Sequence, residues 1–339
     1  MNKDIILEDG KRICECVNLD CLSDSTVLVT GASGLIGTYF ISSLRWLVEQ
    51  GMNITVYALI NSEPPQHLSQ LVRNSGFELI EIDLADFTEY SRLPEADVII
   101  HAAGYAQPIR FMNDPISTLQ INTSATAALL MRLRNNGNFL FLSSSEVYSG
   151  LKNPPFSETV VGTTTPLHPR SSYIEGKRGG ESICFAYRSN GVNAISIRLG
   201  DIYGPGTRKH DNRAINSFIE RALSSQKIEL LDSGSSIRTF LYVSDAVELM
   251  WKILMYGEKP LYNLGGYSTL NIAELAKLIA QIIDVPIVIP SDKNGVSGAP
   301  KDLRLDLTRV ETEFVKTKYV SLEEGLRETI EWQKSLYSN

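Results

Sequence analysis

Thr26-Val-Leu-Val-Thr30-Gly31-Ala-Ser-Gly34-Leu-Ile-Gly37 holds more information about the fold than any other stretch of the chain. Thr26–Thr30 is a short, continuously apolar strand pattern, and a helical pattern runs from Gly34 to about Gln50. Gly31 permits a tight turn, Gly34 lets the backbone approach an anion, and Gly37 lets helix and strand pack closely. The start of the helix then offers unpaired N–H groups and partial positive charge to a phosphate. Three glycines at this spacing arise by chance in many chains. Their place between a strand and a helix makes a dinucleotide cradle the expectation, with Gly31, Ser33, Gly34, Leu35, Ile36 and Gly37 as its contacts.

Outward from this loop the pattern repeats. Ile54–Ile60, Phe77–Leu84, Ala96–His101, Asn138–Ser143 and Ala194–Leu199 read as strands, and Pro115–Leu133 as one long helix. Apolar strands that do not alternate, separated by helical segments, predict right-handed crossovers and a parallel sheet covered on both faces. The expected class is α/β: a doubly wound, Rossmann-like parallel sheet with a smaller C-terminal α/β substrate-binding region. The rhythm loosens after Gly200, where 204–214 and 291–302 read as polar loops and Ile215–Leu223, Ala246–Met255 and Ile272–Ile283 as helices. The expected organisation is a leader at 1–24, a dinucleotide-binding domain at 25–200, and a mainly substrate-binding region at 201–339.

The chain has 339 residues, 43% hydrophobic and 21% charged, with a formal charge of −7. Such a composition belongs to a globular protein that buries a large core. An acidic chain is a poor nucleic-acid binder, so no nucleic-acid partner is expected. No run of 18 apolar residues predicts a membrane span, and the acidic N-terminus is unlike a signal peptide, so the expected location is cytoplasmic. Cys14, Cys16 and Cys21 lack a C-x-x-C pair and a nearby His, so no metal site is expected.

The end of the second strand bears on which dinucleotide binds. A carboxylate there accepts from the 2′-hydroxyl of NAD, and its absence leaves room for the 2′-phosphate of NADP. The strand ends Leu59-Ile60-Asn61-Ser62, with no acid before Glu63. That leans toward NADP over NAD, although no arginine stands there; Arg73 reaches in only if the next helix folds back. Asp83 and Leu84, at the end of the third strand, are candidate adenine contacts, and Ala102, Ala103 and Gly104 follow the fourth.

Tyr173-Ile-Glu-Gly-Lys177 places a phenol and an ammonium four apart, on one face of a helix. A neighbouring ammonium favours the phenolate and lowers the phenol pKa. The same spacing occurs at Tyr148 and Lys152, but Gly150 lies inside that segment and Pro154-Pro155 follows it. Tyr173 and Lys177 are therefore the expected acid–base pair. Ser144, at the C-terminal end of a strand in Ser143-Ser-Ser-Glu146, is the expected hydroxyl donor to the substrate oxygen.

Gly31–Gly37, His101-Ala-Ala-Gly104, Ser143–Tyr148, Tyr173–Arg178, Arg198 with Tyr203-Gly-Pro205, Arg238–Asp245, Tyr262-Asn-Leu-Gly265 and Ser321–Gly325 occur in that order. Together they resemble the extended short-chain dehydrogenases that modify nucleotide sugars, over about residues 25–335. The resemblance implies that Tyr173 shuttles the C4-hydroxyl proton while hydride passes between C4 and the nicotinamide. Ser144 would bond that oxygen, Lys177 would hold the ribose, and Ser145, Asp201 and Arg238 would lie at the substrate, Arg238 near its diphosphate. It also implies a homodimer, through the helix at 117–133 and the one carrying Tyr173, and a place in surface polysaccharide sugar synthesis. Ser145 stands where related dehydratases carry Asp, which disfavours dehydration. Ser145-Glu146 and Tyr173–Arg178 are similar to UDP-glucuronate decarboxylases, but those have Asn at the position of Asp201 and an acid after the second strand. Reduction of a dTDP- or UDP-linked 4-dehydro-6-deoxyhexose ranks first on this reading. Decarboxylation of UDP-glucuronate, with Glu146 as a further catalytic residue, ranks second. A C4 epimerase or a non-catalytic dinucleotide sensor comes last.

Overall fold

The structure, a computed structural model, describes residues 4–73, 75–290 and 301–337. Most of the loop expected at 291–302 lies outside the described residues.

The chain begins with α1 (Ile5–Cys16), β1 (Ser25–Thr30), α2 (Leu35–Glu49), β2 (Ile54–Ile60), α3 (Gln66–Leu71), β3 (Phe77–Glu81) and β4 (Ala96–His101). Next come α4 (Pro108–Asn113), α5 (Pro115–Asn122), α6 (Ser124–Leu130), β5 (Leu133–Ser144), α7 (Ser171–Ser189) and β6 (Asn193–Leu199). The remainder comprises β7 (Asp201–Tyr203), α8 (Ala214–Ser225), β8 (Ile228–Glu229), β9 (Ile237–Tyr242), α9 (Val243–Tyr256), β10 (Leu261–Leu264), β11 (Ser268–Asn271), α10 (Ile272–Ile283), β12 (Ile287–Val288), α11 (Thr308–Glu313) and α12 (Leu322–Tyr337).

Seven strands form the central sheet in the order β10-β6-β5-β4-β1-β2-β3. Every pairing within it is parallel, with Thr30 opposite both Leu59 and His101, and Ser144 opposite Leu199. This is the doubly wound sheet expected from the apolar strands. The strand order reverses between β1 and β4, where such sheets open a crevice beyond their carboxyl ends. His101 helps hold that point together: it is fully buried, its ring bonds the Thr30 hydroxyl at 2.8 Å and the Ile121 carbonyl at 3.0 Å, and burial lowers its pKa to about 3.

Three expectations need correction. Residues 5–22 are not a leader outside the core. Asp4 caps α1, and Ile6 and Ile13 are buried in the main core cluster with residues of α2 and α9. Gly10 lets the helix sit against Ser42, where a Cβ would come within 2.2 Å of the hydroxyl. A single narrow stripe, Ile6, Asp9, Gly10 and Ile13, makes the contact, and it is too sparse and too polar to stand out in sequence. The long helix at 115–133 is two helices broken at Thr123, whose hydroxyl bonds the Leu119 carbonyl at 2.7 Å. The third strand stops at Glu81, so Asp83 and Leu84 lie beyond it. The C-terminal part also contributes β10 to the central sheet, beside β6.

Candidate active site

A cleft of about 280 Å³ opens at the point where the strand order reverses. Gly31, Ser33, Gly34, Leu35, Ile36, Gly37, Asn61, Asp83, Leu84, Ala102, Ala103 and Gly104 all line it. Arg73 is exposed and is not part of the lining, so it does not supply the arginine missing after β2.

The glycine loop fits a dinucleotide's diphosphate. Gly31 has φ +63°, and a Cβ there would lie 2.7 Å from the Ala103 nitrogen; one at Gly37 would lie 2.3 Å from the Gly31 carbonyl oxygen. No side chain caps the first turn of α2, so its N–H groups face the cleft's anion position. Asn61 lines the cleft just past the end of β2, and the Asp83 carboxylate accepts from the Ala85 N–H at 2.9 Å.

At the other end of the cleft, α7 carries Tyr173 and Lys177, both buried. The Tyr173 ring stacks on Phe111 of α4, centroids 4.5 Å apart and 12° from parallel. The Ser144 hydroxyl lies near enough to the Tyr173 phenol to favour the phenolate. Lys177 Nζ donates to the Leu142 carbonyl at 2.7 Å, lies 5.7 Å from the Tyr173 ring centroid, and would be 3.4 Å from a Cβ on Gly104. The lysine therefore reaches the cleft wall beside the phenol.

The expectation that Lys177 lowers the phenol pKa is not met in the unliganded protein. Burial pushes Tyr173 up to about 12, with the Ser144 hydroxyl opposing, and burial pushes Lys177 down to about 7. A desolvated ammonium near neutrality gives up its charge, and with it the field that would favour the phenolate.

Tyr148 is structural. It closes the turn after β5, is fully buried, donates to Asn263 Oδ1 at 2.6 Å and accepts from Arg198 Nη1 at 2.9 Å. Arg198 is itself paired with Glu181 at 2.8 Å.

Glu146 sits in that same turn beside Ser145. Its carboxylate accepts from both Nε (3.2 Å) and Nη2 of Arg170, and from the Ser149 hydroxyl at 3.2 Å. Arg213, just ahead of α8, is held by Asp211 through two Nε bonds of 3.0 and 3.1 Å. Its charge lies near enough to Tyr173 to favour the phenolate, and near Asp201. Asp201 is half-exposed, with Arg238 Nε 3.7 Å from its carboxylate. The charges of Glu146 and Arg213 also act on Asp201, and burial raises the pKa of its carboxyl.

Sequence reasoning passed over Arg170, Asp211 and Arg213. All three lie in segments without periodicity, and the only local signal was the density of charge in Arg208–Arg213. It also passed over Asn122, whose Oδ1 is buried without a partner among the described residues and would lie 3.8 Å from a Cβ on Gly104. Among the described residues, no helix is long and apolar enough to cross a membrane.

A parallel sheet, a glycine-lined dinucleotide cleft and a Ser–Tyr–Lys set at one end of it define a nicotinamide-dependent enzyme. Residues 27–265 match the family model described as NAD dependent epimerase/dehydratase, and the chain belongs to that family of nucleotide-sugar enzymes. It is 30% identical over 308 residues to UDP-glucuronic acid decarboxylase 1 of Xenopus tropicalis, covering 90% of this chain and 71% of that protein. It is 28% identical over 308 residues to UDP-glucuronic acid decarboxylase 5 of Arabidopsis thaliana, covering 90% and 88% respectively. Among solved structures, dTDP-glucose 4,6-dehydratase of Streptomyces venezuelae superposes with TM-score 0.78 at 22% identity, over 92% of this chain and 98% of that one. That likeness shows the shared fold.

Proposed function

We propose that the protein oxidises C4 of a nucleotide-linked hexuronate, UDP-glucuronate above all, and releases its C6 carboxyl group as carbon dioxide. The observation that carries this reading is Arg213, a guanidinium fixed by Asp211 whose charge acts on Tyr173. A sugar whose C4 oxygen meets Tyr173 needs a cation for its C6 carboxylate, and a 6-deoxy sugar has no such need. The decarboxylase relatives support the same substrate.

In this reading Tyr173 takes the C4-hydroxyl proton and Ser144 donates a hydrogen bond to that oxygen. A dinucleotide held by the Gly31–Gly37 loop would supply the hydride acceptor for C4 and the hydride for the return step. The C4 ketone is β to the carboxylate, so the C5–C6 bond breaks, carbon dioxide leaves, and its electron pair passes into an enolate on C5, C4 and the oxygen. Tyr173 stabilises that enolate as a hydrogen-bond donor, a proton is added at C5, and reduction at C4 gives the pentose. Glu146, fixed by Arg170, borders the C5–C6 end. Lys177 holds the cofactor ribose, and Ser145, Asp201 and Arg238 line the path toward the diphosphate.

The test is incubation with UDP-glucuronate and catalytic NAD. The expected outcome is a UDP-pentose and carbon dioxide in equal amounts, with no net change in absorbance at the end. The second reading, reduction of a 4-dehydro-6-deoxyhexose, is favoured by the missing acid at Asn61, which leans toward NADP. One NADPH consumed per 4-keto sugar, with UDP-glucuronate untouched, would establish that reading instead.

We further infer a homodimer formed across α5 and α7. Ile116 of α5 and Phe185 of α7 are 68% and 60% exposed, a large apolar area for two packed helices. Sedimentation should give about twice 37.6 kDa for the natural chain and a monomer for Ile116→Glu with Phe185→Glu; a natural chain that sediments as a monomer overturns the inference.

A further inference from the structure

The glycine loop accounts for one wall of the cleft at its anion position. The opposite wall comes from residues 206–208, just after β7. Gly206 crosses the first turn of α2: a Cβ on it would lie 3.6 Å from both Leu35 Cδ1 and Tyr39 Cε2. Thr207 follows. Its carbonyl accepts from Trp332 Nε1 of α12 at 3.1 Å, which pins the segment across the cleft. The residue is 2% exposed and lines the cleft, yet its hydroxyl is buried with no hydrogen-bond partner among the described residues. A buried hydroxyl left unpaired costs free energy unless a ligand satisfies it.

Arg208 lines the same cleft. So does Arg110 of α4, whose guanidinium stacks 4.1 Å from the centroid of Tyr105. Neither has a carboxylate partner among the described residues. Partial burial and the charge of Arg110 both make Arg208 harder to keep protonated. Two uncompensated guanidiniums near each other, at the rim of a cleft floored by a helix N-terminus, are stabilised by an anion placed between them.

We propose that Thr207, Arg208 and Arg110 form the second half of the diphosphate site for the dinucleotide, closing over the anion that the first turn of α2 holds from below. Thr207 donates its hydroxyl hydrogen to a non-bridging oxygen, and the two guanidiniums flank the diphosphate from the open side. The inference concerns the dinucleotide cleft and stands whichever sugar reaction the enzyme performs.

Calorimetry on the full chain tests it with five probes: NAD, ADP-ribose, NADP, adenosine and UDP-glucuronate. Arg208→Gln should weaken NAD and ADP-ribose about 10-fold each, and the double variant with Arg110→Gln about 30- to 100-fold. Adenosine, which lacks phosphate, should bind as before. The dependence of NAD affinity on salt should become shallower in both variants, because fewer charges are neutralised on binding. Both side chains are exposed and have no carboxylate partner among the described residues, so melting temperatures of the variants without ligand should match the natural chain. Unchanged NAD affinity in the double variant overturns the proposal. So does a loss confined to NADP, which would place Arg208 at the 2′-phosphate, or a loss confined to UDP-glucuronate, which would place the pair at the substrate.

Discussion

Tyr173→Phe should reduce kcat at least about 100-fold, the effect of removing a positioned acid–base group, while the affinity for NAD changes little. The substitution keeps the ring that stacks on Phe111 and removes only the phenol hydroxyl beside Ser144. With its pKa near 12 in the free protein, the phenol holds its proton at neutral pH. It is then set to protonate C4 oxygen in the reductive direction, and the oxidative direction is the one that gains as pH rises. Tyr148→Phe should behave differently. Its hydroxyl joins Asn263 to Arg198 inside the fold, so its loss leaves buried polar groups unpaired at a cost of about 1–3 kcal/mol. That cost should appear in the melting temperature and hardly in the chemistry. A variant pair ranked the other way would move the acid–base role to Tyr148.

Arg213→Gln should lower kcat/KM for UDP-glucuronate by roughly 100- to 10 000-fold. The estimate assumes two charge-assisted hydrogen bonds to the C6 carboxylate, each contributing about 1.5–3 kcal/mol, with about 1.4 kcal/mol for each factor of ten. Binding of UDP-xylose, which has no carboxylate, supplies the control and should differ little between the natural chain and the variant. Equal losses for both ligands would mean that Arg213 acts by anchoring Asp211 and the start of α8, and the carboxylate role would fall.

The parallel sheet was legible because strands such as β1, β4 and β6 are buried on both faces and their apolar runs are nearly unbroken, although the edge strand β3 is not. Val27, Leu28 and Val29, for example, are all fully buried. Helix α1 was not legible, because only four of its positions are fully buried and two of those are Asp9 and Gly10. The break at Thr123 was hidden because a threonine bonding back to Leu119 leaves no mark in the periodicity. In the site, the glycine loop and the Tyr173–Lys177 pair were readable because their partners lie within one turn of each other. Arg170 meets Glu146 across 24 residues, and Trp332 reaches Thr207 across 125. Neither contact has a local pattern, and both depend on how the loops return to the carboxyl edge of the sheet. The reductase ranking rested on Asn61, Ser145 and Asp201, whereas Arg213 became visible only in three dimensions.

Strand β10 ties the catalytic machinery together in a way that bears on turnover. It lies beside β6, with Asn263 opposite Arg198, so the part of the chain that reaches the sugar shares one hydrogen-bonded plate with the part that holds the dinucleotide. A hinge that swung the two apart would have to tear a ladder from the plate and expose the Tyr148–Asn263–Arg198 contacts to water. Traffic through the site therefore falls to the segment at 204–213.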